Sequence, residues 1–205
     1  MKHKLLPIFY ILCITIVCFI CIYDKYNLTP QEELSLKLLR FHVIANSNSS
    51  VDQYIKLKVK EAVVSAMQPY MSRCNSKAES IEVAKENVSF MQEVATNTLN
   101  RYHVNQSVSI CIENTYFPIK TYGDFTFPSG YYDSVRIVLG EGKGENWWCV
   151  LYPPLCFVDM SYGVVPESSK ETLSSTLSKH TYNSLSEDKT KFGFRFFPFL
   201  NWLLE

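Results

Sequence analysis

"LLRFHVIANSNSSVDQYIKLKVKEAVVSAMQPY", residues 38–70, holds the change of period on which the fold turns. In 38–47, Leu39, Phe41, Val43 and Ala45 fall on alternate positions, the pattern of a half-buried strand. "NSNSS" then breaks the alternation. Ser50 with Gln53 three residues on matches a capping box. Beyond it Val51, Ile55, Val59, Val63, Met67 and Tyr70 recur at spacings of three and four, one stripe of a helix that stops near Pro69 to Ser72. A strand followed at once by an amphipathic helix needs a shared core.

The pattern repeats downstream. Ser76 with Glu79 is a second capping box, opening a helix with Ile81, Ala84, Val88, Met91, Ala95, Leu99 and Tyr102 on one face. The period then returns to two. Val108, Ile110 and Ile112 mark a strand, and Val135, Ile137 and Leu139 mark another. Trp147, Cys149 and Leu151 alternate with Trp148, Val150 and Tyr152 in a third, and one face of such a strand cannot bury both tryptophans. "YFPIKTYGDFTFPSGYY" (116–132) is aromatic and broken by Pro and Gly, hence a long loop or ragged hairpin. Ser168 with Glu171 caps a short third helix, with Leu173, Leu177 and Leu185 inward. Phe192, Phe194 and Phe196 mark a last strand. The order β-α-α-β-β-β-α-β predicts an α+β domain, two amphipathic helices on a mostly antiparallel sheet, behind an N-terminal hydrophobic helix.

That leader is Leu5 to Tyr23, nineteen residues without a charge, with Lys2 and Lys4 before it and Asp24 and Lys25 after it. Its length just spans a hydrocarbon core of roughly 30 Å, and the positive flank predicts that the remainder is exported. A cleaved signal peptide is the competing reading, but no A-x-A-like site stands near residue 23. The expected division is a signal-anchor at 1–24, a linker at 25–37 and an exported domain at 38–205. The 205 residues balance 20 Lys and Arg against 20 Asp and Glu, so no bulk positive field exists to hold nucleic acid.

Chemical motifs are sparse. Gly140, Gly142 and Gly144 lie between two strands, and no Lys-Ser/Thr pair or helix start follows, so they read as a hairpin turn rather than a phosphate cradle. Of seven cysteines, Cys74, Cys111, Cys149 and Cys156 fall in the exported part. Cys149 and Cys156 flank a Pro-Pro turn. A disulfide there closes an eight-residue ring and would stabilise by roughly 2–3 kcal/mol. Two buried free thiols, a metal pair and a Cys149 nucleophile served by His42 are the other readings, the last two unsupported by ligand or triad spacing. No catalytic, cofactor-binding or metal-binding residues are assigned, and no small-molecule substrate is expected. The aromatics gather instead into a candidate partner surface: Trp147, Trp148, Tyr152, Pro153, Pro154, Tyr122 and Phe125. The tail "RFFPFLNWLLE" reads as a last core strand or as an apolar patch for membrane or partner.

"LRFHVIANSNSSVDQYIKLKVKEAV" (39–63), "YFPIKTYGDFTFPSGYYDSVRIVLGEGKGENWWCVLYPPLCFVDMS" (116–161) and the basic-aromatic end together resemble stage II sporulation protein R of endospore-forming Firmicutes. The resemblance covers roughly residues 34–200. It implies a non-enzymatic signalling ligand, exported from the forespore into the septal intermembrane space and held to the membrane there by residues 5–23 or released. Its implied partner is a membrane-embedded aspartic protease of the mother cell, which then processes pro-sigma-E.

Overall fold

A computed structural model describes residues 10, 12–19, 28–156, 165 and 167–186. Residues 12–19 are helical, and most of the expected span 5–23 lies outside the described residues. Among those residues no helix is long and apolar enough to cross a membrane. The expected last strand at Phe192–Phe196 also lies outside them.

The chain runs α1 (Pro30–Lys37), β1 (Leu39–Ile44), α2 (Ser50–Met71), α3 (Lys77–Glu86), α4 (Val88–Arg101), β2 (Val108–Phe117), β3 (Lys120–Tyr122), β4 (Phe125–Phe127), β5 (Gly130–Leu139), β6 (Asn146–Tyr152), α5 (Glu167–Thr176) and α6 (Lys179–Ser186). Local chemistry sets the helix starts. Thr29 and Glu32 form a reciprocal capping box at α1. Ser49, one residue earlier than its sequence reading, accepts from the Asp52 N–H to cap α2, and Ser76 caps α3 as expected. The long second helix is broken at Asn87, whose side-chain amide donates to the Val83 carbonyl. Part of the stretch read as a linker, 25–37, is therefore a helix, and its Leu34 is fully buried.

The sheet has order β2-β5-β1-β6, with β2–β5 and β1–β6 antiparallel and β1–β5 parallel. The parallel pair is permitted by the long connection between β1 and β5, which runs through three helices and strands β2 to β4, since a short hairpin cannot join parallel strands. One face carries Leu39, Phe41 and Val43 with Val135, Ile137, Leu139, Cys149 and Leu151. Ile55, Val59, Val63 and Met67 of α2 and Met91, Ala95 and Leu99 of α4 pack onto it. These are the two helices on a sheet that the periodicity predicts.

The second face is buried too. Phe117, Tyr132 and Val150 project from it into a core with Leu34, Tyr122, Phe125, Phe127, Leu173 and Leu185. The two-stranded β3–β4 hairpin, α1, α5 and α6 form this third layer. The alternation in β1 therefore hides both sets of side chains, and Leu39 to Val43 are all buried.

The glycine loop corrects one expectation. β5 and β6 are consecutive but not paired, because β1 lies between them, so residues 140–145 are no hairpin. They cross the end of β1. Asn46 Oδ1 accepts from the Glu141 N–H, Asn48 Oδ1 accepts from the Glu145 N–H, and the Gly144 N–H donates to the Ala45 carbonyl. Gly140 and Gly142 take the positive φ that the crossing requires.

Candidate functional site

The two tryptophans part as strand alternation demands. Trp147 turns to the helical face, edge-on to Phe41 at 6.2 Å, with the Lys60 ammonium 4.8 Å from its ring centre. Trp148 turns to the other face and stacks on His42 at 4.8 Å with planes 4° apart, while Phe117 meets it edge-on at 4.7 Å. Both are half-buried.

The other proposed surface residues are not at the surface. Tyr122, Phe125, Tyr152 and Pro153 are buried and Pro154 is half-buried. Tyr122 and Phe125 flank the β3–β4 turn, and the hairpin folds its aromatic side down onto the second core. Burial pushes the phenols of Tyr122 and Tyr152 above their ordinary range. The expectation of a surface through these four residues is corrected: they hold the fold.

Their central contact was not legible. Arg40, between Leu39 and Phe41 in the alternating strand, is 0% exposed. Its guanidinium lies 4.5, 5.1, 5.5 and 6.0 Å from the ring centres of Phe117, Tyr132, Phe127 and Tyr122. Its Nε donates to the Cys149 carbonyl at 3.1 Å and its Nη2 to the Tyr122 hydroxyl at 3.3 Å. Among the described residues no carboxylate pairs with this buried cation; ring quadrupoles and neutral acceptors surround it instead, each desolvated cation–π contact contributing up to about 2 kcal/mol.

The two cysteines flanking the Pro-Pro turn lie side by side, with their thiols in hydrogen-bonding contact. Cys149 and Cys156 are both free and buried. The Cys156 thiol donates to the Val150 carbonyl at 2.9 Å, and the N–H groups of Leu155 and Cys156 donate to the same oxygen. Burial pushes the Cys156 thiol well above its ordinary value, so it stays protonated. Nor does His42 serve Cys149. Cys149 pairs with Phe41 and shares its face, whereas His42 projects to the opposite one. Burial, then the Arg136 charge, lowers His42 to about 4, so it is neutral at pH 7. Among the described residues no cluster of three or more His, Cys, Asp or Glu side chains could hold a metal.

A polar node that the sequence reading missed lies at the start of α2. The Asp52 carboxylate accepts from Ser47 Oγ at 2.5 Å, Gln106 Nε2 at 2.6 Å and Asn46 Nδ2 at 3.0 Å. The Ser47 bond leads in holding its pKa below the ordinary value. Lys56 Nζ donates to the Glu145 carbonyl at 3.0 Å. This node ties "NSNSS" to the glycine loop; the clustered Asn and Ser beside a helix start were its only sequence signal.

The apolar groups that do face solvent around 116–132 are Tyr116 (51% exposed), Ile119 (60%) and Tyr131 (63%). Tyr116 and Tyr131 are directly paired across β2 and β5, their ring centres 5.6 Å apart and edge-on. Lys77 Nζ and Asp133 form a 2.7 Å ion pair one pleat along the same face. The expected loop thus carries an exposed aromatic patch, two residues outside the ones the sequence singled out.

Three comparisons bear on what this arrangement is. The family described as stage II sporulation protein R (spore_II_R) matches residues 35–162, which takes in the whole sheet, both tryptophans and the aromatic patch. Stage II sporulation protein R of Bacillus subtilis (strain 168) is 36% identical over 152 residues, covering 74% of this chain and 66% of that protein, just under two thirds of its length. No solved structure matches the chain.

Proposed function

The chain belongs to the stage II sporulation protein R family, and from that premise we propose that it works by binding: an exported signal that activates a membrane-embedded aspartic protease. That protease then removes the pro-sequence of pro-sigma-E during endospore formation. The domain acts in the septal intermembrane space, delivered by the apolar leader at 5–23, whose positive flank stays on the side of synthesis.

The observation that carries this reading is the family match across β1 to β6. The exposed Tyr116, Ile119 and Tyr131 group supports it by supplying the paired aromatic anchors that protein interfaces favour. Activation requires that this group bind the active form of the protease more tightly than the inactive form.

The test is reconstitution. The chain, the protease and pro-sigma-E are co-expressed in a non-sporulating host, with and without residues 1–23. Cleavage should depend on the chain and on its export. Tyr116→Ala with Tyr131→Ala should cut the apparent affinity by about 30-fold, as loss of a central aromatic anchor costs about 2 kcal/mol. Unchanged processing by the folded, exported double variant would remove this patch from the interface. Processing that proceeds without the chain would remove the signalling role.

A further inference from the structure

A cleft of about 590 Å³ opens beside the end of the edge strand β6, between the last turn of α1, the turn that joins α2 to α3, and α5. That volume falls within the roughly 300–1,000 Å³ of small-ligand sites. Its floor is Tyr152, whose side chain is 5% exposed and whose hydroxyl makes no hydrogen bond to any described residue. A phenol so deeply buried ordinarily finds a partner. Two more donors are open beside it. Ser76 accepts from the N–H groups of Glu79 and Ser80, and Glu79 accepts from that of Asn75. The Lys77 and Ala78 N–H groups at the start of α3 are left without an acceptor among the described residues, and both residues line the cleft. The charge is one-sided. The lining holds Lys37 and Lys77 and no carboxylate. Lys77 is paired with Asp133 at 2.7 Å. Lys37 makes no ion pair among the described residues; Glu33, one turn back, feels its charge but accepts from Ser178 and Thr181. On the opposite wall Ser175 and Thr176 donate their hydroxyl protons to the Thr172 carbonyl at 2.9 and 2.7 Å, which leaves both oxygens as acceptors.

We infer that this cleft binds a small hydroxylated anion, a sugar carrying a phosphate or a carboxylate. The anionic group meets the Lys37 ammonium, the Tyr152 hydroxyl and the two open N–H groups, where the positive end of the α3 dipole adds to the field. The Ser175 and Thr176 oxygens accept from the hydroxyls of the ligand body. An inorganic anion alone fills only a small part of the volume and leaves that wall without donors. An uncharged sugar leaves the Lys37 charge and the α3 amides unanswered. The inference is independent of the signalling role and of the exposed Tyr116 and Tyr131 pair.

The full chain, held in micelles of an uncharged polyoxyethylene detergent, is titrated calorimetrically with glucose 6-phosphate, glucuronate, inorganic phosphate and glucose. Ionic strength is kept constant with chloride. One site should fill with glucose 6-phosphate or glucuronate, the tighter of the two naming the anion. Glucose and inorganic phosphate should each bind at least about tenfold more weakly. Lys37→Ala, at an exposed position, and Tyr152→Phe, which keeps the ring in the core, should each weaken binding about tenfold with unchanged far-ultraviolet dichroism. Cys74 locates the site, because its thiol is free, half-exposed and on the cleft wall. Its alkylation, read by peptide mass spectrometry, should slow saturably with the same ligand. Failure of both sugar anions to bind overturns the inference, as does glucose or inorganic phosphate binding as tightly, or undiminished affinity in either variant. Binding that leaves Cys74 unprotected overturns it too, by placing the ligand elsewhere.

Discussion

The acid sensitivity of this fold should be set by His42. The ring is buried and stacked on Trp148 at 4.8 Å, and burial first, then the Arg136 charge, oppose its protonation against the opposing pull of Glu113 and Asn146. Its pKa is therefore about 4, against 6.5 for a free side chain. The unfolded chain takes up this proton as pH falls through about 6.5, and the folded chain does not until about 4. Stability contributed by the neutral ring is thus fully present above 6.5 and declines between 6.5 and 4. Between pH 7 and pH 5 the loss comes to about 2 kcal/mol, from two pKa values 2.5 units apart at about 1.4 kcal/mol per unit. The carboxylates held below their ordinary values, Glu33, Asp52 and Asp133, lose their contributions only at lower pH, so this window is the histidine's. Urea unfolding of the full chain in micelles at pH 7, 6 and 5 measures the slope. His42→Leu keeps the stack's apolar area, removes the titrating group and should flatten the profile to within about 0.5 kcal/mol. A wild-type profile already flat from pH 7 to 5, or a His42→Leu profile equally steep, refutes the reasoning.

Three other perturbations test the packing. Asp52→Ala leaves Ser47, Asn46 and Gln106 donors without their acceptor and should cost about 2–4 kcal/mol, read as a lowered urea midpoint. Gly144→Ala sets a methyl group against the Ser47 backbone carbonyl, which cannot swing aside, so about 1–3 kcal/mol should be lost. Gly142→Ala meets the movable Val138 side chain at 2.6 Å but must also hold a positive φ, so it too should destabilise. Cys149 and Cys156 should resist alkylation in the native protein and react on unfolding. Intact mass should not change on reduction; a shift of two hydrogens would restore the disulfide.

The residues explain which features were legible. Val59, Val63, Met91 and Ala95 sit on the core stripe because helical period is a local property, and α2 and α4 carry it without interruption. Trp147 and Trp148 separate to opposite faces for the same reason at period two. The aromatic loop was legible as aromatic but not as a surface. Tyr122 and Phe125 alternate no differently from Tyr116 and Tyr131, yet the β3–β4 hairpin folds back over the sheet and buries the first pair. The hairpin reading of the glycines failed because strand adjacency in sequence does not fix adjacency in a sheet, and β1 had been placed between β5 and β6.

By itself, then, the sequence determined the elements, their inward stripes and the family signature, since period, caps and motif order depend on neighbours a few residues apart. Only the tertiary structure decided that the sheet is buried on both sides, because that depends on segments over a hundred residues distant returning to β1. Arg40 shows the consequence. Its place in an alternating strand marks it as facing water, and only the convergence of Phe117, Tyr122, Phe127 and Tyr132 from four other strands makes it the centre of a core.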